Sequence, residues 1–171
     1  MNTLITITPS HYCEKARWAL DRAGIPFREE AHLPLVHWAF ALPRTGTRTV
    51  PILLTKEGKF SDSVDIVKFA DRHLRPEVRL YPVEQKAHDE VTHWVTRFDS
   101  ELGVLARRYA YSVIVHEPEL FSAIMSPGLS RVERGVLRVG NNAMRKVMTK
   151  AFAIRPGVGE RMLSRIHKLY D

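Results

Sequence analysis

Residues 3–23 read TLITITPSHYCEKARWALDRA and place a short apolar strand directly before an amphipathic helix. Residues 3–8 are β-branched and apolar, which is typical of a buried strand. Residues 12–23 contain good helix formers, with alanine and leucine at helical spacing. The stretch therefore predicts a strand followed by a helix, with Ser10 and Cys13 at the start of that helix.

Strand and helix signals continue to alternate through the rest of the first half of the chain. They predict strands at 26–31, 49–54 and 59–60, a short helix or irregular loop at 35–42, and a helix at 63–73 that Asp62 or Ser63 caps. The order β-α-β-(α)-β-β-α predicts an α/β domain over residues 1–75. Because Pro51 cannot join a sheet ladder normally, we expect a cis Val50–Pro51 peptide bond at the start of the third strand.

The second half of the chain lacks strand signals. Residues 76–85 contain prolines and no periodicity, which predicts a linker. Helical periodicity then covers 86–115, 129–153 and 159–170, with an irregularity expected near Gly140. The pattern predicts an all-helical domain over 86–171. Because its last helix reaches the end of the chain without a capping residue, we expect this domain to be incomplete.

Composition excludes several classes of protein. Apolar content of 44% and charged content of 26% are ordinary for a globular chain, and no run approaches the ~18 apolar residues of a membrane span. The single Cys13 excludes an internal disulfide framework and a cysteine-rich zinc site. The histidine pairs His32/His37 and His88/His93 lack the i, i+4 spacing of helical metal ligands, so we expect no metal. The N-terminus lacks the features of a secretory signal, and the protein is expected to be cytoplasmic.

Basic residues are concentrated near the end of the chain. The net charge is +7, and residues 131–168 contain ten Lys or Arg against two acids, Glu133 and Glu160. Such a stripe attracts nucleic acid, anionic lipid or an acidic ligand, but it is more often the solvated face of a helix. The stretch has neither a nucleic-acid-binding motif nor the exposed aromatic face of an interfacial helix. We therefore expect no nucleic-acid partner and no stable membrane insertion.

The start of the first helix is a candidate reactive site. The first N–H groups of a helix lack partners and lie at the positive end of its dipole, so a thiolate is stabilised there. Ser10 is also a good N-cap. The alternative is that Ser10 only caps the helix and that Cys13 only packs, since free cysteine is often buried.

Two further features favour a ligand. Asp62 and Ser63 stand at a second helix start, which suits a carboxylate, and Arg48 is placed to take another. A cis Val50–Pro51 bond exposes backbone groups that pair with an extended peptide. In a β-α-β-β-α fold these segments converge on one edge of the sheet. Two carboxylate sites, a peptide-binding edge and a thiol site together match glutathione.

Three stretches carry a family resemblance: SHYCEKARWALDRAGIPF at 10–27, TVPILL at 49–54 and GKFSDSVDIVKFADRH at 58–73. They resemble the N-terminal domain of cytosolic glutathione transferases of the bacterial serine or cysteine type. The LYP sequence at 80–82 and the following helix with Trp94 fit the start of the helical domain of that family. The resemblance implies an α/β thioredoxin-like domain followed by an all-α domain, a homodimer, and glutathione as the co-substrate that reacts with small electrophiles.

The resemblance also implies roles for individual residues. Ser10 aligns with the catalytic serine or cysteine of the family, and Cys13 aligns with the second cysteine of a glutaredoxin-like C-x-x-C. If Ser10 is the active residue, it hydrogen-bonds the glutathione sulfur, and glutathione is conjugated to an electrophile. If Cys13 is the active atom, the reaction is thiol–disulfide exchange, and a non-catalytic glutathione-binding module is a third possibility. The implied glutathione contacts are Val50 and Pro51 with the cysteinyl backbone, Asp62 and Ser63 with the γ-glutamyl end, and Arg48 or Thr49 near the glycyl carboxylate.

Overall fold

The structure is a computed structural model, and it describes residues 1–170. The chain divides into two compact units. Unit 1 contains Met1–Thr92 and the short segment Pro127–Ser130. Unit 2 contains His93–Ser126 and the chain from Arg131 onward.

Unit 1 is built on a four-stranded mixed sheet. Its strands are β1 (Asn2–Thr6), β2 (Phe27–Ala31), β3 (Ile52–Leu54) and β4 (Lys59–Phe60), in the spatial order β2-β1-β3-β4. β1 pairs with β2 in parallel, whereas the β1–β3 and β3–β4 pairs are antiparallel. The helices are α1 (His11–Arg22), α2 (Trp38–Thr45) and α3 (Ser63–Asp71), followed by a 3₁₀ turn at Pro76–Val78. The predicted α/β architecture is confirmed.

The two faces of the sheet have separate apolar cores. Leu4 faces a cluster that α1 and α3 complete, through residues that include Ala16, Leu20, Ile66 and Phe69. Its neighbour Ile5 belongs to a smaller cluster with Ile52 and Ala41 of α2. This division follows from the strand itself, because successive side chains point to opposite faces of a sheet.

The helix predicted at 35–42 lies later in the chain. α2 begins at Trp38 and passes through Pro43 to Thr45, although proline normally ends a helix. Two side chains near its end donate to carbonyls of the same helix: Arg44 Nη1 to Phe40 (2.9 Å) and Thr45 Oγ1 to Ala41 (3.1 Å). Gly46, with φ of 72°, ends the helix.

The segment after α3 packs closely against the rest of unit 1. The buried Asp71 carboxylate accepts hydrogen bonds from the backbone N–H groups of Leu80 (2.5 Å) and Tyr81 (3.3 Å). α4 (Gln85–Arg97) follows, and Val91 on its N-terminal half packs against the larger core of unit 1. The boundary between the units therefore falls at Thr92, inside α4. The domain limits given by the sequence, with a linker at 76–85, stay a prediction.

Unit 2 is helical. After α4, one π-helical segment (Phe98–Leu102) leads into α5 (Gly103–Ile114), followed by α6 (Pro118–Met125), α7 (Arg131–Ala151) and α8 (Val158–His167). α5 and α8 pack through Leu105, Val158 and Met162. The helical character was predicted, but α6 was missed because it is short and begins at a proline, a residue compatible with a first helical turn.

Two details of the predicted helices in unit 2 are wrong. α7 is continuous through Gly140, where an irregularity was expected. Buried Leu137 and Met144 lie on either side of this glycine, and their packing outweighs its helix penalty of about 1 kcal/mol. α8 ends at His167, short of the predicted limit at residue 170.

Candidate functional site

The strand register brings three predicted segments to one end of the sheet. Because β1 and β3 are antiparallel, with Ile5 opposite Ile52, the end of β1 lies beside the start of β3. β4 is antiparallel to β3, so its C-terminal end lies at the same end of the sheet. The chain leaving or entering these strands carries Ser10, then Val50–Pro51, then Asp62–Ser63.

Ser10 is the N-cap of α1, as predicted. Its backbone is extended (φ −79°, ψ 116°), and its hydroxyl oxygen accepts a hydrogen bond from the Cys13 N–H at 3.4 Å. The loop is closed by the Ser10 N–H, which donates to the Ile7 carbonyl at 3.0 Å. Because a serine oxygen that accepts in a cap keeps its own O–H, this hydroxyl is able to donate to a bound anion.

Cys13 lies in the core of unit 1. Its exposed fraction is 0%, and burial raises the pKa of its thiol above the ordinary value. Contacts with Ser10 and the Ile7 backbone act in the opposite direction but do not cancel the effect of burial. The thiol form of Cys13 is therefore favoured at neutral pH, and of the two predicted catalytic residues Ser10 is the more accessible to a ligand.

The start of α3 is a second capped helix N-terminus. Of the two predicted caps, Asp62 is the one used, since its Oδ1 accepts from the Val64 N–H at 2.7 Å. Ser63 is the first residue of the helix and is 3% exposed. The N–H groups of this first turn have no partners within the helix and lie at the positive end of its dipole.

The loop before β3 holds the remaining predicted residues. The Val50–Pro51 peptide bond is cis, as predicted, and Pro51 is buried while Val50 is half-buried. Arg48 is exposed, and its guanidinium carbon lies 4.9 Å from the centroid of the Trp38 ring. Stacking on the indole limits the freedom of this guanidinium group.

His37 supports this loop and was not foreseen. It is 7% exposed, and its Nε2 lies 2.9 Å from the Arg48 carbonyl oxygen, so Nε2 carries the proton that is donated. Burial lowers the pKa of His37, although its contacts with the Arg48 and Leu33 backbone partly oppose the shift. The spacing of the histidines bears only on metal binding, and no local motif distinguishes a buried supporting histidine.

A second unforeseen network fixes the loop that carries Ser10. Arg17 donates from Nε to both carboxylate oxygens of Glu29 (2.9 and 3.0 Å), and Thr6 donates to the same carboxylate (2.5 Å). Arg17 Nη2 reaches the Thr8 carbonyl at 3.4 Å, and the Thr8 hydroxyl donates to the Pro127 carbonyl at 2.6 Å. The residues on either side of the β1–α1 turn are thereby held in place.

Replacing His37 by glutamine is expected to weaken the pH dependence of folding stability. In the wild type the folded pKa lies below the unfolded value of about 6.5, so the unfolded state takes up its proton first as the pH falls. The stability that the neutral histidine contributes is complete above about pH 6.5 and is lost below it. Urea denaturation at pH 7 and pH 5 measures the difference.

The matched control is His116→Gln, which removes an exposed histidine. We expect it to leave the loss of unfolding free energy between pH 7 and pH 5 unchanged. An equal loss in wild type and His37→Gln would contradict the account of His37.

Comparison with known proteins identifies the N-terminal unit. Residues 4–77 match the family model described as "Glutathione S-transferase, N-terminal domain". This stretch of the chain is therefore similar to the N-terminal domain of glutathione S-transferases. A search of curated proteins finds no match to the chain.

Several solved glutathione S-transferases have a fold similar to that of this chain. Human glutathione S-transferase T1-1 in its apo form matches with a TM-score of 0.58 at 15% identity, over 99% of this chain and 89% of the human one. The Tau class enzyme of mango, Mangifera indica, matches with a TM-score of 0.56 at 12% identity, over 96% of this chain and 86% of its own. A glutathione S-transferase from Methylobacillus flagellatus with glutathione bound matches with a TM-score of 0.50 at 17% identity, over 98% of this chain and 66% of its own. At these identities the similarity concerns the fold, and it confirms the predicted fold class.

Two properties of the helices and side chains concern membranes and metals. Across residues 1–170, none of the helices combines the length and the apolar character that crossing a bilayer requires. In the same part of the chain, no three His, Cys, Asp or Glu side chains are grouped so as to hold a metal ion.

Proposed function

We propose that this protein binds glutathione at the sheet end described above and transfers its thiolate to small electrophiles. The observation that carries the proposal is the pairing of two capped helix starts, those of α1 and α3, at the same end of one sheet. Ser10 opens the first helix and Asp62–Ser63 opens the second, with Val50–Pro51 between them in the strand order. The match of residues 4–77 to the glutathione S-transferase N-terminal domain supports the same ligand.

The proposed ligand has an anionic group for each positive feature of the site. Its γ-glutamyl carboxylate meets the first turn of α3, where the Ser63 N–H and hydroxyl donate and the helix dipole is favourable. Its glycyl carboxylate meets Arg48, whose guanidinium group is held against Trp38. The backbone of Val50 pairs with the cysteinyl unit between the two carboxylates.

The proposed chemistry takes place at the start of α1. The Ser10 hydroxyl donates a hydrogen bond to the glutathione sulfur, and the positive end of the helix lowers the pKa of the thiol. Each unit of that shift corresponds to about 1.4 kcal/mol of preferential thiolate stabilisation. The thiol proton passes to water, a sulfur lone pair forms the bond to an electrophilic carbon, and the leaving group departs with the electrons of its own bond.

Burial of Cys13 argues against thiol–disulfide exchange as the main activity. Attack on a disulfide requires an accessible thiolate, and Cys13 has neither accessibility nor a lowered pKa. We therefore place the reaction at the glutathione sulfur and treat exchange through Cys13 as an outcome that the experiments distinguish.

The proposal extends to the setting of the protein. We propose a homodimer that clears electrophiles from the cytoplasm, as the family resemblance implies. The exposed rings of Trp94 and Phe98, whose centroids lie 5.6 Å apart, are apolar surface of the kind that association buries. Sedimentation equilibrium measures the oligomeric state.

Glutathione binding is expected to weaken when either carboxylate site is removed. Arg48→Gln and Ser63→Ala are each expected to raise the dissociation constant about tenfold, since hydrogen bonds to charged groups contribute about 1.5–3 kcal/mol. Arg75→Gln is the matched control, because it removes an exposed arginine from the segment beyond the other end of α3. Isothermal titration calorimetry with glutathione measures all four proteins.

The pattern of results separates the candidate functions. Glutathione binding together with conjugation of a generic aromatic halide supports the proposal. Binding without conjugation would identify a non-catalytic module, and disulfide reduction that Cys13→Ala abolishes would identify an exchange enzyme. A wild type that does not bind glutathione would overturn the proposal as a whole.

A further inference from the structure

A groove of about 640 Å³ lies between α6 and α7 in unit 2. Residues of α7 form one wall, and Glu119 and Ser122 of α6 contribute to the other. None of its lining residues belongs to the candidate glutathione site. An inference drawn from this groove is therefore independent of the proposed function.

Three arginines of α7 line the groove: Arg134, Arg138 and Arg145. In a helix with 3.6 residues per turn they fall within about 40° of one another around the axis, and they spread over about 16 Å along it. The side of the groove formed by α7 is thus a row of guanidinium groups, and we name it the arginine row.

The charge of the arginine row is not neutralised by neighbouring acids. Glu119 lines the same groove, but among residues 1–170 no carboxylate oxygen lies within 4.0 Å of these three arginines. Arg134 and Arg138 are exposed, and their guanidinium groups make no hydrogen bond within that part of the chain. Their planar sets of N–H donors are available to an anion.

Arg145 is fixed in position by neutral partners. It is half-buried, and it donates from Nε to Asn141 Oδ1 (2.8 Å) and from Nη1 to the Val115 carbonyl (2.7 Å). Asn141 in turn donates from Nδ2 to Ser122 Oγ at 2.6 Å, which connects the two walls. Arg145 Nη2 also donates to Asn142 Oδ1 at 3.4 Å. Because none of these three partners is charged, the guanidinium keeps its full positive charge in a fixed orientation.

We propose that this groove is a binding site for a small phosphate-bearing anion. Guanidinium groups bind phosphate oxygens in pairs, and a phosphate with more than one negative charge engages more than one of them. Ser122 adds a donor, because its oxygen accepts from Asn141 while its own O–H is available to a ligand. Solvent exposure accounts for Arg134 and Arg138 taken alone. Arg145, which supports the end of α5 through the Val115 carbonyl, lies in the same groove, so its charge adds to theirs.

Inorganic pyrophosphate is the probe for this site. Isothermal titration calorimetry of the whole protein at low ionic strength is expected to show saturable binding. Arg134→Gln and Arg138→Gln are each expected to raise the dissociation constant at least about tenfold. Arg131→Gln removes the same charge from the same helix at a position that does not line the groove, and we expect a change of less than about threefold.

Arg138→Lys is a second variant at this position, which keeps the charge and loses the paired donors. We expect its dissociation constant to lie between those of the wild type and Arg138→Gln. Circular dichroism verifies that each variant is folded. No binding by the wild type would overturn the proposal, as would equal weakening by Arg131→Gln and Arg134→Gln. Tighter binding of a single-stranded oligonucleotide that all three arginine-to-glutamine variants weaken equally would also overturn it, because it would indicate an extended nucleic-acid surface.

Discussion

Replacing Ser10 by alanine is expected to return the pKa of the bound glutathione thiol most of the way to its free value. A hydrogen bond to a charged group contributes about 1.5–3 kcal/mol, which corresponds to a pKa change of about one to two units. The rate of conjugation at neutral pH is expected to fall about tenfold to a hundredfold, because less of the bound thiol is ionised. Ultraviolet absorbance of the thiolate, followed across a pH titration, measures the pKa directly.

Cys13→Ala is the matched variant for this experiment. Cys13 donates its N–H to Ser10 Oγ and is buried, so its side chain is not expected to meet the ligand. We expect the pKa of the bound thiol to stay within about half a unit of the wild-type value. A Ser10→Ala protein with an unchanged thiol pKa, or a Cys13→Ala protein with the larger shift, would contradict the assignment of Ser10.

Replacing Asp71 by alanine is expected to reduce the free energy of unfolding by about 3 kcal/mol. The Asp71 carboxylate is 5% exposed and accepts hydrogen bonds from the N–H groups of Leu80 and Tyr81. The substitution removes the carboxylate acceptor of both N–H groups, and burying an unsatisfied polar group costs about 1–3 kcal/mol. Urea denaturation monitored by circular dichroism measures the loss.

Two comparison variants sharpen this test. Asp71→Asn keeps one acceptor oxygen, so an intermediate loss is expected. Asp65→Ala removes an exposed carboxylate from the first turn of the same helix and is expected to cost less than about 1 kcal/mol. A loss for Asp71→Ala no larger than that for Asp65→Ala would mean that Asp71 does not secure the segment after α3.

The positions of Ser10 and of Asp62–Ser63 were predictable because helix starts have local sequence signals. A serine or aspartate before an apolar-periodic stretch is enough to indicate a cap, and both caps are present. Their convergence on one end of the sheet followed from the order of the strands, because the end of one strand lies beside the start of its antiparallel neighbour.

The supporting residues were not predictable because they depend on contacts distant in sequence. Arg17 and Glu29 are 12 residues apart, and the Thr8 hydroxyl meets a carbonyl 119 residues away. His37 is distinguished by its contact with the Arg48 carbonyl, which its local sequence does not show. The continuation of α2 through Pro43 runs against the usual effect of proline, so propensity alone does not reveal it.

Ser10 and Cys13 are both catalytic candidates on sequence grounds, and burial distinguishes them. The position of Cys13, three residues after the Ser10 cap, does not show whether its side chain faces the ligand or the core. Cys13 is fully enclosed with Ala16 and Leu20, whereas Ser10 is half-buried at the helix start. Both roles stay predictions until the ligand is seen in place.

A crystal structure of the protein with bound glutathione tests the central claim most directly. The account predicts the glutathione sulfur within hydrogen-bond distance of Ser10 Oγ, one carboxylate at the first turn of α3 and the other near Arg48. Glutathione bound away from this end of the sheet would contradict the account, as would a sulfur whose nearest protein atom is Cys13 Sγ.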